Sequence, residues 1–476
     1  MTAARDVSGA DLARSPERIR AALAVAPDAA RLRPVGLGGV LLGTGVSDQV
    51  AALAGELRTG TGDVALLMDR RPMPGARGEI KAAVAAALED AGEGPVHIAY
   101  LGDDTAEVHA DAPTLAAAVG AVRGAALLVT VGSGTIVDIG KYASAQLGGL
   151  PHVVVQTAAS VNGFADDQSV LVVDGVKRTT PTRWPDRLVI DTDVVGAAPP
   201  VMNQAGLGDL LASYTAPADW LLAKFVGQDD TFSPAVVALA RDHVDAAVDA
   251  ADGVAAGDPE AIELLAAALT LSGISMGVAG RTAPGSGMEH TASHLLEMTE
   301  GANATLHGAK VGVLSAFAAC LWEVVREAAA EGGLAALRFP DESEMEARVT
   351  SAFAVADPTG AMAAECWSDY RRKLARWHEA RPRLETLADR WPWFEADVSR
   401  LLASPERLVS ALQRAQAPVR LAEIGIDPDR GRWALANCHL MRDRFTIADL
   451  AFFMGRWEPA DVRSLIARVG ALGGGL

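Results

Sequence analysis

Between residues 40 and 191 the chain alternates short apolar runs with longer segments of mixed character. Residues 40–43, 64–69, 96–100, 126–131, 153–156 and 188–191 are almost continuously apolar over strand length, the pattern of strands buried on both faces of a parallel sheet. Residues 46–57, 80–91 and 114–122 lie between them and carry apolar positions at helical spacing. This alternation predicts a doubly wound, mostly parallel α/β sheet. Residues 169–173 read as a further strand, and Asp174-Gly175, placed before Val176-Lys177, marks a hairpin. Ahead of the first strand, residues 1–34 are rich in Ala, Arg and Asp with helical spacing and predict one or two surface helices. Past Pro199 the pattern changes to long Ala/Leu-rich segments at 207–226, 233–254, 259–279, 288–298 and 311–330, and the tail from 331 onward continues in helical spacing. The expected organisation is an N-terminal helical extension (1–35), an α/β domain (36–198) and an all-helical C-terminal part (199–476).

Composition narrows the class. Half of the 476 residues are apolar and mean hydropathy is +0.18, enough for a large core. The formal charge is −18 with no long basic run, which argues against nucleic acid or an anionic membrane as partner. A phosphorylated small molecule stays open, since a local cationic pocket can coexist with net negative charge. Cys320, Cys366 and Cys438 are odd in number, far apart and without a C-x-x-C pair, as expected of thiols in a reducing compartment. The first twenty residues lack the apolar core of a signal peptide. Residues 264–280 are apolar but contain Ser272, Gly273 and Gly277 and are short for a membrane span, so a buried helix is expected. These features predict a cytoplasmic protein. The tail tryptophans are expected in the core, and Arg371-Arg372-Lys373 on a solvated helix face.

Two stretches carry candidate chemistry. The strand at 126–131 runs into Gly132-Ser133-Gly134-Thr135, followed by Asp138 and Lys141. Glycines after a strand let backbone N–H groups at a helix start approach a phosphate. A tight strand-to-helix turn would use the same residues, but after the preceding β/α units a nucleotide pyrophosphate is the better reading. Asp69, at the end of an earlier strand, could hold an adenosine ribose hydroxyl; Arg70 and Arg71 beside it could accept a 2′-phosphate, which leaves NAD and NADP both open. Thr157 and Ser160 close another strand at the edge where ligands bind in open sheets. The second stretch is Gly285-Ser286-Gly287-Met288-Glu289-His290-Thr291-Ala292-Ser293-His294, with His307 close behind. The chain has only nine histidines. His290 and His294, four apart, share a helix face. Imidazole is a common zinc ligand, and Asp209 in Gly206-Leu207-Gly208-Asp209 is the best upstream carboxylate. Helix capping or core hydrogen bonds would suit these histidines equally well.

As an ordered set these stretches resemble the glycerol-1-phosphate dehydrogenase family, within the group that holds iron-containing alcohol dehydrogenases, glycerol dehydrogenase and dehydroquinate synthase. The matching pieces are Gly132 to Thr135 with Asp138 and Lys141, Thr157 to Ser160, Val173 to Lys177, Gly206 to Asp209, Tyr214-Thr215, Ala218-Asp219-Trp220, Glu289-His290, Ser293-His294, His307-Gly308 and Arg444 to Leu450. The resemblance implies a dehydroquinate synthase-like fold with the active site between a nucleotide-binding and a helical domain. It implies one divalent metal on Asp209, His290 and His307, zinc being usual in the phosphate-specific members. His294 would support a metal ligand or face the substrate, and Lys177 would be a cation in the cleft, both as catalytic candidates. Expected cofactors are NAD or NADP, and the expected partner is a small polyol or carbonyl substrate, with a homo-oligomeric assembly. Two departures stand out: Asn162 where better-known members have Asp, and Val137 where they have Asn. Loss of a charge at Asn162, a catalytic candidate, leads us to expect a preference for a carbonyl compound other than dihydroxyacetone phosphate. Two further readings stay open: a cyclase or lyase using NAD transiently, and a non-catalytic assembly partner.

Overall fold

Runs of Val, Leu and Ile bounded by Gly, Asp or Pro set the strands. The computed structural model describes residues 9–58, 60, 62–75, 78–92, 94–103, 108–173, 176–299 and 305–476. Besides a two-residue ladder of Pro74–Gly75 with Gly78–Glu79, its strands are β1 (Gly39–Gly43), β2 (Val64–Asp69), β3 (Val96–Leu101), β4 (Leu127–Gly132), β5 (His152–Gln156), β6 (Gln168–Val173), β7 (Val176–Pro181) and β8 (Arg187–Asp191). Six form one parallel sheet in the order β1-β8-β5-β4-β2-β3. Every residue of β2, β4 and β5 is buried, which is why these strands are apolar on both faces rather than alternating. Leu66, Val129 and Val155 pack on one side, Leu67, Leu128 and Ile139 on the other. From β2 the chain moves outward to β3, then returns to place β4 on the opposite side, so the winding reverses between β2 and β4. Ligands bind at the carboxyl ends beside such a reversal. Asp69 ends β2 and Gly132 ends β4. β6 and β7 pair antiparallel as expected of the hairpin, with Val173 opposite Val176; its turn residues Asp174 and Gly175 lie outside the described residues.

The helices that matter for the site are, in chain order, α1 (Pro16–Ala24), α2 (Gly134–Gln146), α3 (Pro200–Leu210), α4 (Ala216–Val226), α5 (Pro259–Ala279), α6 (Met288–Thr299), α7 (His307–Ala330), α8 (Ala361–Glu379) and α9 (Ile447–Phe453). The chain divides into two units. The first takes the described residues of Met1–Leu210 with Ala235–Thr282 and Arg414–Gln416; the second takes Leu211–Pro234, Ala283–Gln413 and Ala417–Leu476. The boundary expected near residue 198 thus falls inside the first unit, and α5 returns to it. α5 is well bracketed: Asp258 caps its start by accepting from the Glu260 and Ala261 amides, Pro259 follows, and Gly280 ends it at φ +65°. α5 and α7 are long and apolar enough to cross a membrane, but 89% of each apolar window is buried in the protein. Both are core helices.

Three expectations need correction. The single helix at 207–226 is instead α3, a short 3-10 turn over Leu211–Tyr214, and α4. Pro217 has no N–H to donate and sits in the first turn of α4, the position it suits. Asp209 therefore lies at the end of a helix rather than near its start. His307 does not precede the helix expected at 311–330; it is the first residue of α7. Arg371-Arg372-Lys373 is not one solvated face. Arg371 and Arg372 are exposed, but Lys373 is fully buried, 2.7 Å from Asp449 Oδ1 and donating to the His439 carbonyl at 2.6 Å. The tail tryptophans are buried or half-buried as expected, except Trp393, which is 78% exposed.

Candidate active site

In the first unit the glycine loop joins β4 to α2. Ser133 is extended and lends its side chain to no cap, and Ser133, Gly134 and Thr135 retain solvent access, so the first amides of α2 are presented outward. The Thr157 N–H donates to the Gly132 carbonyl at 3.1 Å, which fastens the end of β5 beside this loop. A Cβ on Gly134 would stand 3.0 Å from Val161 Cγ2. The segment from Thr157 to Asn162 is in turn tied to α3. The Ala159 N–H donates to Asn203 Oδ1 at 3.0 Å and the Asn162 N–H to Asp209 Oδ2 at 3.1 Å. Close backbone approach makes this possible, for a Cβ on Gly206 would lie 1.7 Å from the Ala159 carbonyl oxygen. The first unit thus brings together the glycine loop, Thr157, Ser160, Asn162 and Asp209.

Several candidates in this unit are engaged in ways the sequence did not disclose. Asn162 donates its side-chain amide to Ser272 Oγ at 3.2 Å, so its amide braces α5. Asp138 is held on both oxygens: Oδ1 lies 3.2 Å from Lys141 Nζ and Oδ2 accepts from the Val170 N–H at 3.0 Å. Lys141, fully buried, also donates to Asp166 Oδ1 and the Gly163 carbonyl, both at 2.7 Å. Burial pushes the Asp138 carboxyl up, against the pull of Lys141. Asp138 and Lys141 therefore anchor the segment after Asn162. Val137 is fully buried in α2. Asp69 pairs with the buried Lys81, whose ammonium also donates to the Asp69 carbonyl at 2.8 Å. Lys177 falls in β7 opposite Val172; its side chain lies outside the described residues.

In the second unit the three histidines converge. Ring centroids are 6.0 Å apart for His290 and His294, 5.1 Å for His290 and His307, and 5.5 Å for His294 and His307. One turn of α6 aligns the first two, and the start of α7 brings the third. Residues 300–304, between these helices, lie outside the described residues. His290 Nδ1 is 3.0 Å from Glu289 Oε1, and His307 Nδ1 is 2.6 Å from Glu297 Oε1. Burial works against ionisation of Glu289, yet the His290 hydrogen bond and charge and the Gly287 amide hold its carboxyl below the ordinary value. His294 Nδ1 is buried with no hydrogen-bond partner among the described residues. Burial, and next the charge of Arg442, hold its imidazole well below the usual range, hence neutral. Arg442 was passed over in the sequence. Its left-handed backbone, φ +59°, is uncommon for a non-glycine residue, and no local motif betrays it.

Asp219 organises the surroundings. Its buried carboxylate accepts from the Met288 N–H at 2.9 Å, the Ile447 N–H at 3.0 Å and Trp322 Nε1 at 3.1 Å. One side chain thereby joins the first residues of α6 and α9 to the middle of α7. Burial, and then the neighbouring Glu289 charge, raise the Asp219 carboxyl well above its ordinary value. A Cβ on Gly287 would meet Asp219 Oδ2 at 2.7 Å, so the glycine before Met288 is a packing requirement. Arg444 donates to the carbonyl and hydroxyl of Ser286, a second tie between the tail motif and the histidine-bearing segment.

Residues 41–199 match the family model described as iron-containing alcohol dehydrogenase. The chain is 39% identical over 188 residues to glycerol-1-phosphate dehydrogenase, NAD(P)+, of Geobacillus thermodenitrificans, covering 39% of this chain and 46% of that one. It is 37% identical over 233 residues to the Bacillus licheniformis protein of the same name, covering 48% and 57%. With these two relatives the chain spans about half of their length. With the protein of that name from Geobacillus stearothermophilus the match is 31% identical over 325 residues, 67% of this chain and 70% of that one. A probable glycerol dehydrogenase from Sinorhizobium meliloti is similar in fold, with TM-score 0.56 at 18% identity over 91% of this chain and 97% of that one. The chain belongs to the glycerol-1-phosphate dehydrogenase family, within the iron-containing alcohol dehydrogenase group.

Proposed function

We propose that the protein is a metal-dependent, NAD(P)-linked dehydrogenase that interconverts glycerol 1-phosphate and dihydroxyacetone phosphate. The observation that carries this reading is the histidine cluster of the second unit, two of whose rings lean on carboxylates through Nδ1. That arrangement suits rings whose other nitrogen serves as a metal ligand. The proposed ligands are Asp209, His290 and His307, and the proposed ion is zinc, for which two imidazoles and a carboxylate are a fitting donor set that keeps a position for substrate. A divalent ion held there would polarise the substrate oxygen as a Lewis acid. Asn162 has a positioning role in this scheme: its N–H holds Asp209 Oδ2. With its amide on Ser272, Asn162 would act in this reading through Asp209 rather than on the substrate itself, and the assay below sets dihydroxyacetone phosphate against other carbonyl compounds.

The remaining residues bind and move a proton. Gly132, Ser133, Gly134 and Thr135 would receive the pyrophosphate on the amides of α2, with Thr157 and Ser160 beside them. Asp69, oriented by Lys81, would meet the adenosine ribose, and Lys177 the substrate phosphate. Neutral His294 would accept the hydroxyl proton of a bound polyol and return it in the reverse direction; a bound nicotinamide would supply the hydride acceptor or donor. The three cysteines are buried and none is in a disulfide, in keeping with a cytoplasmic setting.

The test follows NADH and NADPH oxidation by zinc-loaded protein, with dihydroxyacetone phosphate set against dihydroxyacetone and glyceraldehyde. We expect turnover to glycerol 1-phosphate and about one zinc per chain. His290→Ala should lose most of the metal. Efficient reduction of an unphosphorylated ketone with no turnover of dihydroxyacetone phosphate would overturn the substrate assignment. Equal metal content in wild type and His290→Ala would overturn the ligand set.

A further inference from the structure

His290 and His307 each rest a ring nitrogen on a buried glutamate of its own. Glu289 Oε1 is 3.0 Å from His290 Nδ1, and Glu297 Oε1 is 2.6 Å from His307 Nδ1. Both glutamates are themselves held. Glu289 accepts from Thr215 Oγ1 at 2.8 Å and from the Gly287 N–H at 2.5 Å. Glu297 accepts from Ser293 Oγ at 3.3 Å and has Lys310 Nζ at 3.7 Å. Glu289 is 0% and Glu297 8% exposed, so water does not replace these contacts. An ionised carboxylate only accepts, which makes Nδ1 the protonated nitrogen of each ring. A neutral imidazole then has its lone pair on Nε2.

We propose, resting on the metal reading above, that Glu289 and Glu297 are positioning residues that fix His290 and His307 as Nδ1–H tautomers and so make Nε2 the metal-facing atom of both rings. The sequence offsets make the two supports independent. Glu289 neighbours its histidine in the first turn of α6 and is steadied by Thr215, just before α4. Glu297 reaches from the last turn of α6 to the first residue of α7, and so also sets where α7 begins relative to α6. His294, Glu297 and His307 could be read as a cation site in their own right, since ligand atoms of the three lie within 4.8 Å of one another. Two observations decide against it. Glu297 Oε1 already stands at hydrogen-bond distance from His307 Nδ1, and the fully buried Lys310 ammonium faces the same oxygen. A dication there would break the first contact and be repelled by the second.

The experiment measures zinc affinity by competition with a chromophoric chelator, and records imidazole ¹⁵N signals of metal-free protein labelled at histidine. Wild type is compared with Glu289→Gln, Glu297→Gln and Glu297→Leu. Each glutamine variant should bind zinc about 10–100-fold more weakly, the leucine variant more weakly still, and signals of the affected ring should move from the Nδ1–H pattern toward a mixture of tautomers. A change in packing alone would not produce the tautomer shift. Should Glu289→Gln fail to fold, the Glu297 pair answers by itself, because its histidine belongs to another helix. Unchanged zinc affinity and tautomers in the glutamine variants, with zinc lost in His290→Ala, would overturn the positioning role and leave the metal site standing. Zinc retained in His290→Ala would overturn the metal reading and this inference with it.

Discussion

Gly206 shows how one residue can decide whether the site exists. A methyl group there would stand 1.7 Å from the Ala159 carbonyl oxygen, and backbone cannot yield as a side-chain tip can. Gly206→Ala should destabilise the protein by more than about 3 kcal/mol, measured by urea unfolding. A loss below about 1 kcal/mol would mean that the two segments separate without strain. Gly134 has more room, its nearest neighbour being a side-chain methyl at 3.0 Å. Gly134→Val should fold, yet weaken both NADH and NADPH by about tenfold or more, because the branched side chain covers the amides meant for pyrophosphate. Fluorescence titration checks this, and unchanged affinity would place the nucleotide elsewhere. His152 gives a pH signature. It is fully buried with Nε2 2.7 Å from Thr130 Oγ1. Burial, then the charges of Arg183 and Lys141, push it from 6.5 down to about 3. The unfolded chain takes up this proton near pH 6.5 and the folded one only near 3. The stability it protects is therefore complete above pH 6.5 and falls as pH drops through that window, by up to about 1.4 kcal/mol per pH unit. His152→Asn should flatten the stability curve between pH 6 and 4 by roughly that slope; parallel curves would rule the assignment out.

Elements were legible where apolar period and punctuation agreed. The strands of the sheet follow from runs of Val, Leu and Ile ended by Gly or Asp, and α5 from Asp258-Pro259 at its start and Gly280 at its end. The reading failed where one apolar pattern spans a break, as at residues 207–226, since a 3-10 turn keeps nearly the same side buried as a helix does. The Asp219 contacts were also hidden, because its three donors lie 69, 103 and 228 residues away in the chain. Asp219→Ala would leave two main-chain N–H groups and an indole N–H buried without acceptors, at about 1–3 kcal/mol each. We expect a total loss of about 3–5 kcal/mol in urea unfolding and weaker zinc binding, as the first turn of α6 loosens under His290. Loss of stability with zinc affinity unchanged would restrict Asp219 to the fold.

On the scale of the whole molecule, the proposed ligand set draws on three helices, Asp209 from Pro200–Leu210, His290 from Met288–Thr299 and His307 from His307–Ala330. Bound metal should then add to the stability of all three. Zinc at a thousand times its dissociation constant would contribute about 4 kcal/mol. Chelation should lower the melting temperature and raise hydrogen exchange in the Pro200–Leu210 helix as well as in the Met288–Thr299 helix, and His290→Ala should be indifferent to both treatments. Exchange confined to the histidine helices would remove Asp209 from the set.

By itself the sequence determined the class of fold and the chemistry available. Period, glycine placement and a rare residue type clustered in one stretch are local signals, and hydrophobic burial acts on them locally. It also singled out Asp209, His290 and His307, because histidines are scarce in this chain and their order matched a family. Only the tertiary structure decided which groups are already taken. Asp138 proved to serve Lys141, Asn162 to brace Ser272, and Lys373 to lie in the core beside Asp449. Glu289 and Glu297 gained their meaning in the same way. A carboxylate's role depends on which donors surround it, and most of those donors are brought to it by packing rather than by sequence neighbours.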